Sequence, residues 1–273
     1  MENKKPKNID EYKKWLKEEH DIEISDRIQR RYESVTNTIK LNFEKSDLWI
    51  QLTENLREYN DEYLIKTGYP LLIPSFKPVI PSFKPELHIK LFNPFLLKTF
   101  RKNIIENKRW PDEPENGWIF PNNWYSRIND IIRTLLVVKY IDGVEFMINK
   151  VRSLCKQHSA ECKVFLQATE EGYYAAHLYT KQEFEIPKIT WDTERVNVSI
   201  EVQITTQLQE VIRKLLHKYY EDRRKRIREE DTKWQWNYES DEFIANYLGH
   251  ILHYVEGMIM EVREKQKQKE KIT

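Results

Sequence analysis

The stretch VNVSIEVQI, residues 196–204, decides the fold, because apolar and polar side chains alternate along its whole length. Successive side chains of a β-strand point to opposite faces of the sheet, so this alternation predicts a strand with one apolar face. The apolar face carries Val196, Val198, Ile200, Val202 and Ile204. The opposite face carries Asn197, Ser199, Glu201 and Gln203. Taken alone, Glu201 is interpreted as a carboxylate on a solvated face.

Asp130 changes the interpretation of Glu201. It immediately precedes IIRTLLVV, a run rich in β-branched residues that predicts a second strand. If the two strands are neighbours, both carboxylates lie on one side of the sheet together with Gln203. They could then share a divalent cation through hard oxygen ligands.

The segments on either side of these strands predict an α/β (α+β) fold, a mixed β-sheet of about five strands flanked by helices. Further strands are predicted at 164–167 and 173–180, and helices at 144–154, 208–219 and from Ser240 onward. Residues 1–70 are predicted to form an N-terminal helical extension of three amphipathic helices. The second opens near Ser25, the third runs from near Ser46 through Tyr63, and Gly68 and Pro70 end this region. Residues 71–268 form the main domain, which ends in a long C-terminal helix.

Composition excludes several classes of protein. With 33% charged residues and a net charge of +1, the 273-residue chain has no global field that would attract a nucleic acid or a membrane. Its longest nearly uncharged runs fall far short of the roughly 20 apolar residues that span a bilayer. We therefore expect a cytoplasmic protein without a membrane partner. Cys155 and Cys162 lack the spacing of a structural zinc site or a disulfide scaffold, and we expect buried, free thiols.

A group of cations surrounds the predicted helix in NPFLLKTFRKN, for which Asn93 is the expected cap and Pro94 the first residue. These cations are Lys90, Lys98, Arg101 and Lys102. Together with a helix N-terminus they could hold phosphate groups. A solvated helical face explains the same residues.

Four short motifs follow one another along residues 72–225. HIKLFNPFLLK supplies His88, Lys90 and Lys98, and NDIIRTLLVV supplies Asp130. EGYYAAH supplies Gly172, Tyr173 and His177, and EVQITT supplies Glu201, Gln203 and Thr206. In this order the motifs resemble the synthetase domain of the RelA/SpoT family, whose members transfer a diphosphate from ATP to a ribose 3′-hydroxyl. The resemblance implies a nucleotidyltransferase-like fold.

The resemblance also implies a role for each motif residue. Asp130 and Glu201 would bind Mg²⁺, and Glu201 would accept the proton of the attacking 3′-hydroxyl. The ATP phosphates would be held by Lys90, Lys98, Arg101 and His88. The acceptor would be held by Tyr173, His177, Gly172 and Gln203, with the tyrosine ring stacked on the base.

Several positions depart from the family pattern. His88 stands where the family has an arginine that helps to hold ATP, and Tyr174 follows the stacking tyrosine where arginine or glutamine is usual. The loop before that tyrosine reads ECKVFLQATEE, in which Glu170 and Glu171 replace the usual basic character. A free guanine nucleotide would meet a less favourable electrostatic environment there.

Three functions remain open at this point. The first is an enzyme that uses ATP to pyrophosphorylate a guanine nucleotide, giving a (p)ppGpp-type alarmone. The second is a toxin that modifies the 3′ CCA end of tRNA and is restrained by an antitoxin, for which the cluster from Arg223 to Arg228 could track a phosphate backbone. The third is an inactive nucleotide-binding module. The sequence leaves the oligomeric state open.

Overall fold

The computed structural model describes residues 5–72, 75–76, 81–82, 85–170, 172–188, 192–214 and 234–270. The chain divides into two compact units. The first comprises Met1–Ser46, Leu87–Arg133 and Lys181–Glu201, and the second comprises Asp47–Glu86, Thr134–Thr180 and Val202–Thr273. The predicted boundary near residue 70 stays a prediction.

Nine α-helices lie within the described ranges. They are α1 (Ile9–His20), α2 (Asp26–Glu44), α3 (Asp47–Glu54), α4 (Leu56–Thr67), α5 (Phe92–Phe100), α6 (Trp124–Arg127), α7 (Ile141–Gln157), α8 (207–214) and α9 (Asp241–Glu270). A π-helix, Arg101–Ile105, directly continues α5, and a short 3₁₀-helix, Trp234–Trp236, precedes α9. The predicted long C-terminal helix is therefore confirmed. In this part of the chain, no helix combines the length and apolar character that crossing a bilayer requires.

The helix boundaries differ from the sequence prediction in two places. The helix expected from Ser46 through Tyr63 is interrupted at Asn55, so that α3 and α4 replace it. The expected cap at Asn93 is also wrong, since α5 begins at Phe92. Phe92 is buried, and Pro94 is still tolerated in the first turn because a residue there has no intrahelical partner for its N–H.

Two other predicted boundaries are confirmed. Gly68 ends α4 in the left-handed conformation, with φ at 79°. Ser240 caps α9, because its Oγ accepts a hydrogen bond of 3.1 Å from the N–H of Phe243.

Five strands form the main sheet. These strands are β3 (His88–Ile89), β4 (Ile132–Val138), β5 (Glu161–Ala168), β6 (Tyr174–Pro187) and β7 (Thr193–Thr206), in the spatial order β3-β4-β7-β6-β5. A separate two-stranded sheet pairs β1 (Ser75–Phe76) with β2 (Pro81–Ser82), one strand from each copy of the repeated IPSFKP segment. The mixed sheet of five strands with flanking helices confirms the predicted fold class.

Strand register fixes where the site residues lie. In the first unit β3 and β4 are antiparallel, with His88 opposite Arg133 and Ile89 opposite Ile132. Strands β6 and β7 also run antiparallel. Glu183 of β6 contacts Arg195 of β7 at 3.6 Å, and nearer the other ends of the two strands Thr205 Oγ1 donates a 3.1 Å hydrogen bond to the carbonyl of Tyr174.

Aromatic and aliphatic side chains build a core in each unit. In the first unit α1 and α2 pack against α5, and the buried rings include Tyr12, Tyr32, Phe95 and Phe100. In the second unit α7 packs against α3, α4, β5 and α9. There Arg263 of α9 is buried between the rings of Tyr69 and Tyr140, at 4.3 and 4.2 Å from their centroids, and contacts Asp142 at 3.1 Å.

Candidate functional site

Two of the lysines predicted from the sequence meet on one carboxylate. Lys90 Nζ lies 2.8 Å from Asp130 Oδ2, and Lys98 Nζ lies 2.8 Å from Asp130 Oδ1. All three side chains are largely buried. The exposed fraction is 16% for Lys90, 30% for Lys98 and 14% for Asp130. The interpretation of these lysines as a solvated helical face is therefore wrong.

Local structure brings the Lys90–Asp130–Lys98 cluster together. The N–H of Lys90 donates a 2.8 Å hydrogen bond to the carbonyl of Ile131, which extends the β3–β4 pairing by one step. This step places the residue after β3 beside the residue before β4. The hydroxyl of Tyr32 donates a 2.7 Å hydrogen bond to the carbonyl of Lys90 and holds it from the side of α2. Lys98 reaches the same carboxylate from α5.

Burial and charge act in opposite directions within the cluster. Burial on its own would raise the pKa of Asp130, but the ammonium groups of Lys98 and Lys90 lower it to about 2. Burial lowers the pKa of Lys90, although the neighbouring carboxylate of Asp130 opposes this effect. Arg133 also lowers the pKa of Lys90 through its charge, so this arginine is a further cation near the cluster that sequence reasoning missed.

Glu201 is buried in the same unit, with 3% of its surface exposed. It lies on β7, the strand next to β4 in the sheet. Ser199 on the same face is 9% exposed, whereas Asn197 is exposed and Gln203 is half-buried, so the polar face of VNVSIEVQI is covered around Ser199 and Glu201. The interpretation of Glu201 as a carboxylate on a solvated face is thus wrong, and a buried carboxylate requires a partner.

The two carboxylates predicted to bind Mg²⁺ both belong to the first unit. Asp130 and Glu201 both supply hard carboxylate oxygens, and Mg²⁺ is commonly held by one or two protein carboxylates together with substrate phosphates. Among the described residues, no group of three or more His, Cys, Asp or Glu side chains could hold a metal by itself. Binding of Mg²⁺ by Asp130 and Glu201 stays a prediction.

Two further residues predicted to bind ATP have other positions. His88 is exposed on β3, which is an edge strand of the sheet. Arg101 forms an ion pair of 2.8 Å with Glu106, and both side chains are about half exposed. The structure does not add either residue to the Lys90–Asp130–Lys98 cluster, and their roles in ATP binding stay predictions.

The predicted acceptor motif begins with a tight turn in the second unit. Gly172 has a φ of 74°, a conformation that side chains with a Cβ rarely adopt, and its N–H donates a 3.0 Å hydrogen bond to the carbonyl of Thr169. The N–H of Tyr173 is held by Thr169 Oγ1 at 3.2 Å. Tyr173 immediately precedes β6 and is partly exposed, as a stacking platform requires.

Two further residues predicted to bind the acceptor are His177 and Gln203. The hydroxyl of Tyr173 lies 3.3 Å from Nε2 of His177, so the structure brings these two predicted residues together. Gln203 is half-buried on β7. Sequence reasoning missed Arg213 on α8, whose pKa is raised by its hydrogen bonds to Glu210, by their charge attraction and by the nearby Tyr173. The only sequence signal for Arg213 is its place on the helix that follows β7.

Glu171 and the basic cluster from Arg223 to Arg228 lie outside the described residues. Of the acidic pair before the tyrosine, Glu170 is described and is exposed.

The fold is similar to that of solved alarmone synthetases. No protein-family model matches the chain, and no curated protein matches it in sequence. The small alarmone synthetase 1 from Bacillus subtilis aligns with a TM-score of 0.50 and 12% identity, covering 89% of this chain and 97% of its own. The same protein bound to its product pppGpp aligns with a TM-score of 0.49 and 14% identity, covering 89% of this chain and 97% of its own. A GTP pyrophosphokinase family protein from Streptococcus pneumoniae aligns with a TM-score of 0.48 and 13% identity, covering 91% of this chain and 97% of its own.

These identities are too low to transfer an activity. What the first alignment shows is that the chain has the fold of a small alarmone synthetase over almost its whole length. The fold implied by the resemblance to RelA/SpoT synthetase domains is therefore confirmed.

Proposed function

We propose that the protein is an ATP-dependent pyrophosphokinase that transfers the β,γ-diphosphate of ATP to the ribose 3′-hydroxyl of a guanine nucleotide. The convergence of Lys90 and Lys98 on Asp130 carries this proposal. Three residues chosen from motif spacing meet within ion-pair distance, in a fold that is similar to an alarmone synthetase.

The cluster has the charges that diphosphate transfer needs. Transfer of a phosphoryl-type group is promoted chiefly by positioning and by neutralising the charge on the group in flight. With ATP and Mg²⁺ bound, the two ammonium groups would face anionic phosphate oxygens and Asp130 would help to hold the cation. Each member of the cluster would then exchange one partner of opposite charge for another, which would limit the desolvation penalty of the buried charges.

Mg²⁺ would be held by Asp130 and Glu201, and it would supply neutralisation of the triphosphate charge. Glu201 would also accept the proton of the attacking 3′-hydroxyl. A buried carboxylate on a central strand is a rigid acceptor for such a proton.

The acceptor part of the proposal rests on the turn at Gly172. We propose that Tyr173 stacks on the acceptor base, with His177, Gly172 and Gln203 as its neighbours in the acceptor subsite. The left-handed turn and the partly exposed ring support this assignment. Base stacking on an aromatic side chain is worth roughly 1 to 3 kcal/mol.

A direct test uses ATP labelled in the γ-phosphate with Mg²⁺ and four separate acceptors: GDP, GTP, AMP-series nucleotides and bulk tRNA. We expect GDP or GTP to become labelled at the 3′-oxygen, and the Glu201→Gln variant to give no label. Label on tRNA alone would contradict alarmone synthesis and support the toxin activity. No label on any acceptor, with ATP still bound, would point to the inactive module and contradict the proposal.

A further inference from the structure

The helix α9 approaches the turn before Tyr173 at a point where neither partner has a side chain. A Cβ on Gly249 would lie 2.9 Å from the carbonyl carbon of Gly172 and 3.1 Å from its Cα, and closer still to its oxygen. A Cβ on Gly172 would lie 2.5 Å from the carbonyl oxygen of Asn246 and 2.9 Å from the nitrogen of His250. Backbone therefore touches backbone, and neither glycine can gain a methyl group unless the helix or the turn moves.

His250 ties α9 to both sides of the same turn. Its Nε2 lies 2.9 Å from the carbonyl oxygen of Glu170, and its Nδ1 lies 2.8 Å from the hydroxyl of Tyr174. Since a carbonyl oxygen only accepts, Nε2 carries a proton and donates it. In the neutral ring, Nδ1 then accepts from Tyr174. The partners of these two hydrogen bonds, Glu170 and Tyr174, lie on either side of Gly172 and Tyr173 in the sequence.

A second histidine of α9 holds the ring of Tyr174. The rings of Tyr174 and His253 are stacked, with centroids 3.6 Å apart and an angle of 8° between the planes. His253 Nδ1 lies 3.4 Å from the buried carboxylate of Glu256, which also accepts from the hydroxyl of Thr206 at the end of β7. Tyr174, which departs from the family pattern, is therefore fixed by the helix.

We propose that α9 is the positioning element of the acceptor turn and that Gly249 and His250 set the orientation of Tyr173 through Gly172, Glu170 and Tyr174. Neither residue needs to touch the substrate. The inference rests on the proposed function for its effect on catalysis, but the contact between helix and turn stands without it. It assigns a positioning role to a helix that no motif identifies.

Two glycines of α9 allow a matched test. Gly249→Ala places a methyl group against Gly172, whereas Gly257→Ala, on the same helix, meets nothing within 4 Å. Both changes raise helix propensity equally. We expect the amides of residues 169–174 to exchange with deuterium about 10-fold faster or more in Gly249→Ala than in Gly257→Ala, since the new methyl group overlaps the backbone of Gly172 and forces the helix and the turn apart.

The kinetic readout separates positioning from general loss of structure. In Gly249→Ala we expect the KM for the acceptor to rise about 10-fold, the size of a stacking contact, with the KM for ATP unchanged. Gly257→Ala should leave both at the parent value. If Gly249→Ala does not fold, His250→Ala and His250→Gln take its place. The glutamine can still donate to the carbonyl of Glu170, so it should restore part of the acceptor affinity that alanine loses.

The outcomes distinguish the two proposals. Equal exchange of residues 169–174 in the two glycine variants, or in His250→Ala and the parent, would overturn the positioning inference whatever the enzyme does. If the parent protein labels no acceptor, the proposed function is overturned. If exchange is still fast in Gly249→Ala, the role of α9 in holding the turn is supported even then. Equal losses for ATP and acceptor would show a general structural effect and also contradict the inference.

Discussion

The ammonium group of Lys98 lies 2.8 Å from Asp130 Oδ1, and this contact joins α5 to the second residue before β4. The contact is largely buried, so the carboxylate must remain ionised for the first unit to keep it. It gives the protein an acid-sensitive element whose titration can be measured.

The stability of the parent should depend on the ionisation of Asp130. The pKa of this residue falls from 3.8 to about 2 on folding, so the stabilisation is complete above about pH 4 and is lost as the pH falls through about 2. We expect the difference in free energy of unfolding between the parent and Asp130→Asn to shrink by about 2 kcal/mol across that interval. Urea unfolding at several pH values measures it. The exposed Asp112→Asn variant should show no such trend, and a constant difference for Asp130→Asn would contradict the prediction.

Glu201→Gln should abolish transfer and leave the fold intact, because the amide keeps the size of the side chain and loses its negative charge. We expect a loss of at least about 100-fold in turnover, the lower range for removing a general base. Label transfer measures the rate, and circular dichroism checks the fold. Glu194→Gln on the same strand, whose partner is Arg31 at 3.9 Å, is the control and should retain activity. Near-parental turnover in Glu201→Gln would show that this carboxylate has no catalytic role.

Tyr173→Ala should raise the acceptor KM about 10-fold or more, from the loss of a stacking contact of roughly 1 to 3 kcal/mol. Tyr173→Phe keeps the ring and should change the KM little, because the hydrogen bond between the hydroxyl and His177 is long, at 3.3 Å. Steady-state kinetics over a range of acceptor concentrations measure both. If the alanine variant uses every acceptor as well as the parent, the tyrosine is a packing residue of the strand edge.

Arg263→Ala should destabilise the second unit by about 2 kcal/mol or more, because it leaves Asp142 without its cation and opens the space between two tyrosine rings. Lys265→Ala is the matched control, since Lys265 contacts Glu261 at 2.7 Å with both side chains about two-thirds exposed. An exposed pair of this kind contributes less than about 1 kcal/mol. Thermal and urea unfolding of the two variants give the comparison, and equal effects would show that the buried arginine is dispensable.

Cys162 should react with iodoacetamide before Cys155. Both thiols are free, and Cys155 is buried. The hydrogen bond from Cys155 lowers the pKa of Cys162, with help from the charge of Arg152, whereas the same bond and burial raise the pKa of Cys155. Peptide mapping after brief alkylation near pH 8 should find Cys162 labelled at least about 10-fold more. Cys155→Ala removes the donor and should slow the labelling of Cys162, and equal labelling of the two thiols would contradict the assignment.

The sequence predicts local features of this fold well. The alternation in VNVSIEVQI predicts β7, and the glycine and serine signals predict the end of α4 and the start of α9. The break at Asn55 was missed because the apolar spacing continues across it. The burial of Glu201 was missed because a strand's own pattern does not reveal what covers its polar face.

Some residues of the candidate site could also be predicted from the sequence, and others could not. Lys90, Lys98 and Asp130 could be predicted because each belongs to a short motif with fixed spacing. Arg133, Arg213 and His250 could not, since each comes near its partners only through the tertiary fold. A histidine in the middle of a long helix carries no signal that it will reach the carbonyl of Glu170.

The π-helix after α5 makes the length of the chain at this point more important than its composition. The N–H of Glu106 bonds to the carbonyl of Arg101, five residues back, so one residue is extra relative to an α-helical turn. Asn103 within it donates to and accepts from the backbone of Ile119, at 2.9 and 3.0 Å, and donates to Tyr12 at 2.8 Å. Deleting any one residue of 101–105 would restore regular α-helical winding, but it would remove the wide turn from which Asn103 reaches Ile119 and Tyr12. Substitutions here are therefore expected to be tolerated at more positions than single-residue deletions, and insertions or deletions among homologues should avoid this turn.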